Sequence, residues 1–343
     1  MRKIAIVTIE SINYGNRLQN FALQSVLEKL NFDVQTLRRK KKSKDFKYFV
    51  KRFMQEVLQT KSSKFRHFDS KINFSDIVIG RDEWPADLDK KFDYFIAGSD
   101  QIWNPYYDFV AGKCDFLQFA NKCKRISYAA SFGINNIPVE RQEEYRKSLE
   151  EFYVISVREK QGKKIVENLT NKSAEVVLDP TFLLNEEEWN ELVKRPKVCP
   201  KTKYVLVYAL GEKNERFVNK IEMLKKDFVV FDVLSKNRFR REKSIGPSEF
   251  IYLIKNAEII LTDSFHATAF SIIFHKRFVT YNRMGLNMNS RIESIAEIAG
   301  IKSCLNQNGD LTCDSLYDYS NVEKKINNER KKSIDFLKKS LKI

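Results

Sequence analysis

The sequence predicts an α/β protein of two parallel-sheet domains whose strand ends face one cleft. Three observations carry this. Strand-like apolar runs alternate with helical ones almost throughout. The apolar run Ala257-Glu258-Ile259-Ile260-Leu261 stops at Thr262-Asp263-Ser264-Phe265-His266, and a helical run, Ala267 to Phe274, follows at once. The same construction occurs earlier, where Phe92–Ala97 empties into Gly98-Ser99-Asp100-Gln101-Ile102-Trp103-Asn104-Pro105. In open α/β sheets the carboxyl end of a strand is where ligands sit, and helix N-terminal amides there favour an anion. With 343 residues, two domains are the natural division.

In chain order the pattern gives strands at Lys3–Thr8, Val34–Leu37, Tyr94–Ala97, Arg125–Ala130, Val154–Val157 and Glu175–Leu178. Helices fall at Leu18–Leu30, Phe46–Leu58, Val139–Phe152 and Gly162–Leu169. A short helix at Glu186–Val193 and the proline-bearing stretch Pro196–Lys203 then read as a connection. Strands at Tyr204–Ala209, Phe228–Val233, Ile259–Thr262 and Phe278–Tyr281 follow, with helices between them. The expected division is residues 1–184 as the first domain, on the acceptor side, and 185–203 as linker. Residues 204–320 form the second domain, on the donor side, and 321–343 a terminal helix packing back on the first.

A 43% hydrophobic and 31% charged composition is that of a folded chain, not a disordered one. Met1-Arg2-Lys3 leads straight into Ile4–Val7, too short for a secretory leader, and no apolar run is long enough to span a bilayer, so a cytoplasmic protein is expected. Cys114, Cys123, Cys199, Cys304 and Cys313 are scattered and form no CxxC pair, which argues against a disulfide framework or a zinc site. The net charge of +16 attracts phosphate-rich partners. It concentrates in residues 38–71, where thirteen Lys/Arg face Asp45, Glu56 and Asp69. There Phe46, Phe49, Val50, Phe53, Met54, Val57 and Leu58 share one helical face beside Lys44, Lys47, Lys51 and Arg52. That pattern fits a helix lying on an anionic membrane surface, and equally a helix packing on the core.

Three segments offer chemistry. The loop Ser11–Asn20 matches neither GxGxxG nor GxxxxGK[ST], so no dinucleotide or P-loop site is expected. Its Asn13, Asn16, Arg17 and Gln19 suit hydrogen bonds to hydroxyl groups, and Ser99, Asp100 and Gln101 at the second tip join them as acceptor-binding candidates. Arg158 stands at the carboxyl edge of a strand, where arginine is either a fork for carboxylate or phosphate or an ion-pair partner of Glu159. Of His67, His266 and His275, only His266 opens a helix beyond a buried strand, where an imidazole can donate or accept a proton.

Asn13-Tyr14-Gly15-Asn16-Arg17-Leu18-Gln19-Asn20-Phe21-Ala22-Leu23-Gln24, Asp93–Pro105, Ile126-Ser127-Tyr128-Ala129-Ala130-Ser131-Phe132-Gly133, Ser156-Val157-Arg158-Glu159, Leu178-Asp179-Pro180-Thr181 and Thr262–His266 together resemble the polysaccharide pyruvyl transferase family. Asn289-Ser290-Arg291-Ile292 adds a seventh block. The resemblance implies two Rossmann-like domains of the GT-B glycosyltransferase type. It also implies transfer of a pyruvyl group from phosphoenolpyruvate to two hydroxyls of a sugar, forming a cyclic ketal and releasing phosphate. No cofactor or metal is implied, because phosphoenolpyruvate is itself the donor substrate. The family's donor-site arginine and histidine carry over onto Arg158 and His266, and its further basic residue onto Arg291.

Chemically, the carboxylate and phosphate of the donor need two clamps. Arg158 and Arg291 would supply forks, and the helix opening at Ser264–His266 would supply amides. His266 would transfer the proton, with Asp100 or Asp263 assisting. Members closest in motif act on exported polysaccharides, which makes a sugar or lipid-linked oligosaccharide the expected acceptor. One rival reading is a nucleotide-sugar glycosyltransferase on the same fold, for which Gly211-Glu212 is the sole hint. Another is a non-enzymatic basic protein binding nucleic acid or membrane. No recognition helix or aromatic-basic RNA motif supports nucleic acid.

Overall fold

The computed structural model describes residues 1–40, 60–108, 110–235, 245–283, 289–313 and 319–343. The Phe46–Leu58 stripe lies outside them. Among the described residues the chain divides into two compact units, one of 1–40, 69–183 and 327–343, the other of 60–68 and 184–326.

The first unit holds a seven-stranded parallel sheet: β1 (Lys3–Val7), β2 (Asp33–Arg39), β3 (Phe74–Ile79), β4 (Tyr94–Ala97), β5 (Arg125–Ala130), β6 (Val154–Val157) and β7 (Glu175–Val176). Their spatial order is β3-β2-β1-β4-β5-β6-β7. All four side chains of Tyr94-Phe95-Ile96-Ala97 are buried, as expected for a strand covered on both faces. The order reverses between β1 and β4. A crevice therefore forms outside their carboxyl ends, where open sheets bind ligands. Two of the three loops that meet there are Thr8–Asn13 and Gly98–Gln101.

Helix α1 runs Tyr14–Lys29, four residues earlier than the apolar pattern suggested. Asn13 caps it, its side chain accepting a hydrogen bond from the Gly15 amide at 2.9 Å. Asn16, Arg17 and Gln19 are therefore helical rather than loop residues. Strand β3 and helix α2 (Lys61–Asp69) went unseen in the sequence. β3 is an edge strand with half-exposed Val78, so it lacks a clean alternation, and α2 is buried in a lysine-rich run that hides its period.

Behind the sheet, Trp103 is fully buried. It stacks on Phe116 (ring centroids 5.7 Å apart, 9° between planes), packs on Phe132 and Phe152, and donates to the Asp115 carbonyl at 3.1 Å. The aromatic abundance therefore fills core here.

The second unit has five strands, β8 (Tyr204–Tyr208), β9 (Val229–Asp232), β10 (Ile259–Thr262), β11 (Arg277–Thr280) and β12 (Leu311–Cys313), ordered β12-β11-β10-β8-β9. Only β12 is antiparallel. Helices α3 (Val139–Glu150) and α4 (Lys160–Leu169) belong to the first unit. Helices α5 (Glu186–Asn190), α6 (Glu215–Leu224), α7 (Pro247–Lys255), α8 (Phe265–Ile273) and α9 (Asn289–Ile298) belong to the second. The stretch read as linker starts inside this unit. There Trp189 is fully buried against Phe270, ring centroids 4.9 Å apart.

The last helix, α10 (Tyr319–Ser340), ends within the first unit. Ser333 Oγ accepts the Leu178 amide at 3.0 Å, and Phe336 packs on Tyr128 with centroids 6.3 Å apart. Among the described residues no helix is long and apolar enough to cross a membrane.

Candidate functional site

At the carboxyl edge of the first sheet, five of the quoted sequence blocks meet in one buried hydrogen-bonded network. Arg158, at the end of β6, is 3% exposed. Its Nη1 donates to Asp179 Oδ2 at 2.8 Å, its Nη2 lies 3.4 Å from Asp100 Oδ1, and its Nε is 3.9 Å from Glu159 Oε2. Asp179 also accepts Ser99 Oγ at 2.7 Å, the Thr181 amide at 3.0 Å and Thr181 Oγ1 at 2.8 Å. Asn16 Nδ2 donates to Asp100 Oδ2, and Glu159 accepts from Ser131 Oγ at 2.9 Å. Burial works against the Arg158 charge, but Asp179, Asp100 and Glu159 more than reverse it, so the guanidinium sits above its ordinary value.

The backbone here is held in uncommon conformations. Asp100 has φ +75° and Ala129 φ +52°, left-handed values that non-glycine residues seldom adopt. Asp100 and Ala130 bridge the ends of β4 and β5. Gly133, at φ +65°, leaves no room for a side chain, since a Cβ would come within 2.2 Å of Gln101 Oε1. Gln101 in turn accepts Asn104 Nδ2 at 2.7 Å.

This geometry revises several expectations. Arg158 does not present an open fork to an anionic donor. Three carboxylates surround it, so a further anion would meet their repulsion before its attraction. Arg17 is committed to Asp69 (Nε–Oδ1 2.6 Å), and Gln19 to Thr8 Oγ1 at 2.9 Å and the Asn16 carbonyl at 3.1 Å. Asn16, Ser99, Asp100 and Arg158 are brought together. Asn13, Arg17, Gln19 and Gln101 serve other local bonds.

In the second unit, β10 ends at Thr262 and α8 begins at Phe265, with Ser264 as N-cap. Ser264 Oγ accepts the Ala267 amide at 3.5 Å, and its own amide donates to Thr262 Oγ1 at 3.0 Å. That amide is therefore spent within the turn rather than offered to a ligand. His266 stands on the first turn of α8, buried, with its ring edge-on to Phe265 (centroids 5.4 Å, 90°). Asp263 accepts the Leu210 and Gly211 amides, each at 2.7 Å, and Arg283 Nε at 3.0 Å. With three donors on it, this carboxylate is a brace rather than a general base.

Beside that brace lies a cavity lined by Asp263, Phe265, Tyr281, Asn282, Arg283, Arg291, Ile292 and Gly309. Arg291, on the first turn of α9, is 4% exposed. Two guanidinium groups thus meet one cavity at the head of α8, an arrangement that selects an oxyanion. His266 sits one residue beyond the lining residue Phe265 and is not itself in the lining. Arg283 was missed in the sequence although it follows β11 by three residues, the same strand-to-tip signal that singled out His266.

The profile of one protein family, described as polysaccharide pyruvyl transferase, matches residues 13–283 of this chain, which is most of its length. The chain belongs to the polysaccharide pyruvyl transferase family. It is accordingly an enzyme, a transferase of polysaccharide biosynthesis. No curated protein matches it. Its fold is similar to that of a putative UDP-N-acetylglucosamine 2-epimerase from Listeria monocytogenes, with TM-score 0.53 and 11% identity, covering 98% of this chain and 90% of that one. It is also similar to a glycosyltransferase from Rickettsia africae ESF-5, with TM-score 0.51 and 14% identity, covering 99% of both chains. These likenesses support the α/β fold of the GT-B type that the sequence implied.

Proposed function

We propose that this transferase moves a pyruvyl group from phosphoenolpyruvate onto two hydroxyls of a sugar in a polysaccharide or its precursor. The observation that carries the reading is the cavity at the head of α8, where Arg283 and Arg291 converge one residue from His266 in a member of this family. The two guanidinium groups suit the donor's oxyanions.

His266 delivers a proton to the donor's methylene carbon while one sugar hydroxyl attacks the neighbouring carbon and gives up its own proton. Phosphate then leaves as the second hydroxyl closes the ring and loses its proton. The acceptor side is the crevice beside Asn16, Ser99 and Asp100. The single hint for a nucleotide sugar, Gly211, has a local explanation, since its amide binds Asp263 and its α-carbon faces the Arg283 stem.

Incubation with phosphoenolpyruvate labelled in its pyruvyl carbons, against a panel of sugar and lipid-linked acceptors, tests this. Phosphate release with label appearing in an acid-labile ketal is expected. Consumption of a nucleotide sugar with phosphoenolpyruvate untouched would instead establish the glycosyltransferase reading.

We further propose that the basic stretch around Lys47 and Lys51 rests the cytoplasmic enzyme on the inner membrane face, where lipid-linked precursors are built. Each basic residue near such a surface contributes about 1 kcal/mol. Flotation with anionic vesicles should weaken on Lys47→Glu/Lys51→Glu. Binding that ignores lipid charge would overturn it.

A further inference from the structure

Three neighbouring strand tips of the second sheet meet in one device. After β8, Leu210 and Gly211 donate their amides to the Asp263 carboxylate that follows β10, and Asp263 in turn receives the Nε of Arg283 that follows β11. Arg283 Nη2 also lies 3.4 Å from the Asp263 carbonyl. The stem of Arg283 runs over Gly211: a Cβ there would stand 3.0 Å from both Cγ and Cδ of Arg283 and 3.2 Å from Asp263 Oδ2. A long side chain is thus fixed at its head by a carboxylate and along its stem by a residue with no side chain. Such fixing removes rotamer freedom before a ligand arrives, which is what an anion clamp needs. Arg283 lines the same cavity as Arg291, and Asp263 spreads its own charge over two backbone amides besides the guanidinium.

We infer that Arg283 is an oxyanion-binding residue of the donor site, and that Asp263 and Gly211 are positioning residues that aim it. This rests on the phosphoenolpyruvate reading for the identity of the donor, but not for the existence of the anion site. The oxyanion can be a phosphate or a carboxylate, and the two are separable by probe.

Calorimetric titration of the full-length protein with inorganic phosphate and, separately, with pyruvate measures binding without turnover. Arg283→Ala should weaken one of the two probes by about tenfold to hundredfold, the range for losing a hydrogen bond to a charged group. The probe affected tells which end of the donor Arg283 holds. Arg283→Lys, which keeps the charge and the stem, should recover little, because a point charge does not reproduce the fork.

Asp263→Asn should weaken the same probe. The double variant Asp263→Asn/Arg283→Lys should be no worse than the poorer single variant, since both act through one contact. Gly211→Ala, which pushes the Arg283 stem by a few tenths of an ångström, should raise KM for phosphoenolpyruvate more than it lowers kcat. Unchanged binding of both probes in Arg283→Lys and Arg283→Ala overturns the inference, as does full additivity in the double variant. Probe binding lost in Arg283→Ala by a protein that never consumes phosphoenolpyruvate would retain the anion site and remove the pyruvyl-transfer reading.

Discussion

Replacing Arg158 by methionine is expected to lower the unfolding free energy by about 3–5 kcal/mol, the usual cost of removing one partner from a buried ion pair. Arg158 is the cation held among Asp179, Asp100 and Glu159 at the end of the first sheet, and its side chain is 1% exposed. Methionine fills much of the same volume, so the loss is electrostatic rather than a cavity effect. Urea unfolding followed by circular dichroism reads it directly. Adding Asp179→Asn to the variant should restore part of the loss, because one fewer carboxylate is then stranded. A midpoint indistinguishable from wild type would mean that the network does not hold this edge together. A residue read from the sequence as a ligand for the donor would then return to that role.

His266→Ala is expected to cut phosphoenolpyruvate-dependent phosphate release by about 10²–10⁴-fold, the range for losing a positioned general acid or base. The melting transition should remain cooperative. His266 sits on the first turn of α8, and the helix keeps its Ser264 cap and its buried apolar residues without the imidazole. His67→Ala is the control: His67 is exposed on α2 and should leave turnover nearly unchanged. Equal effects from the two histidine changes would remove His266 from the proton-transfer step.

Much of this protein was legible before its structure. Buried parallel strands announce themselves as continuous apolar runs, and Tyr94–Ala97 and Ile259–Thr262 lie where that pattern placed them. The ordered blocks from Asn13 to His266 carried the family, which the match over residues 13–283 shows. Edge strand β3 and helix α2 were not legible, because an exposed edge and a lysine-rich run blur the periods that pattern reading depends on.

The roles of charged residues were the least legible. Sequence placed Arg158 and Asp263 at strand tips, and both do stand there. Whether a charge at a tip meets a ligand or a neighbour is decided by what distant segments bring beside it. Asp179 reaches Arg158 from 21 residues further along the chain, and Arg283 reaches Asp263 from 20. Local pattern fixes where a side chain begins, since it follows from backbone periodicity within one element. The side chain's electrostatic partner depends on sheet order and crossover, and only the folded chain determines those.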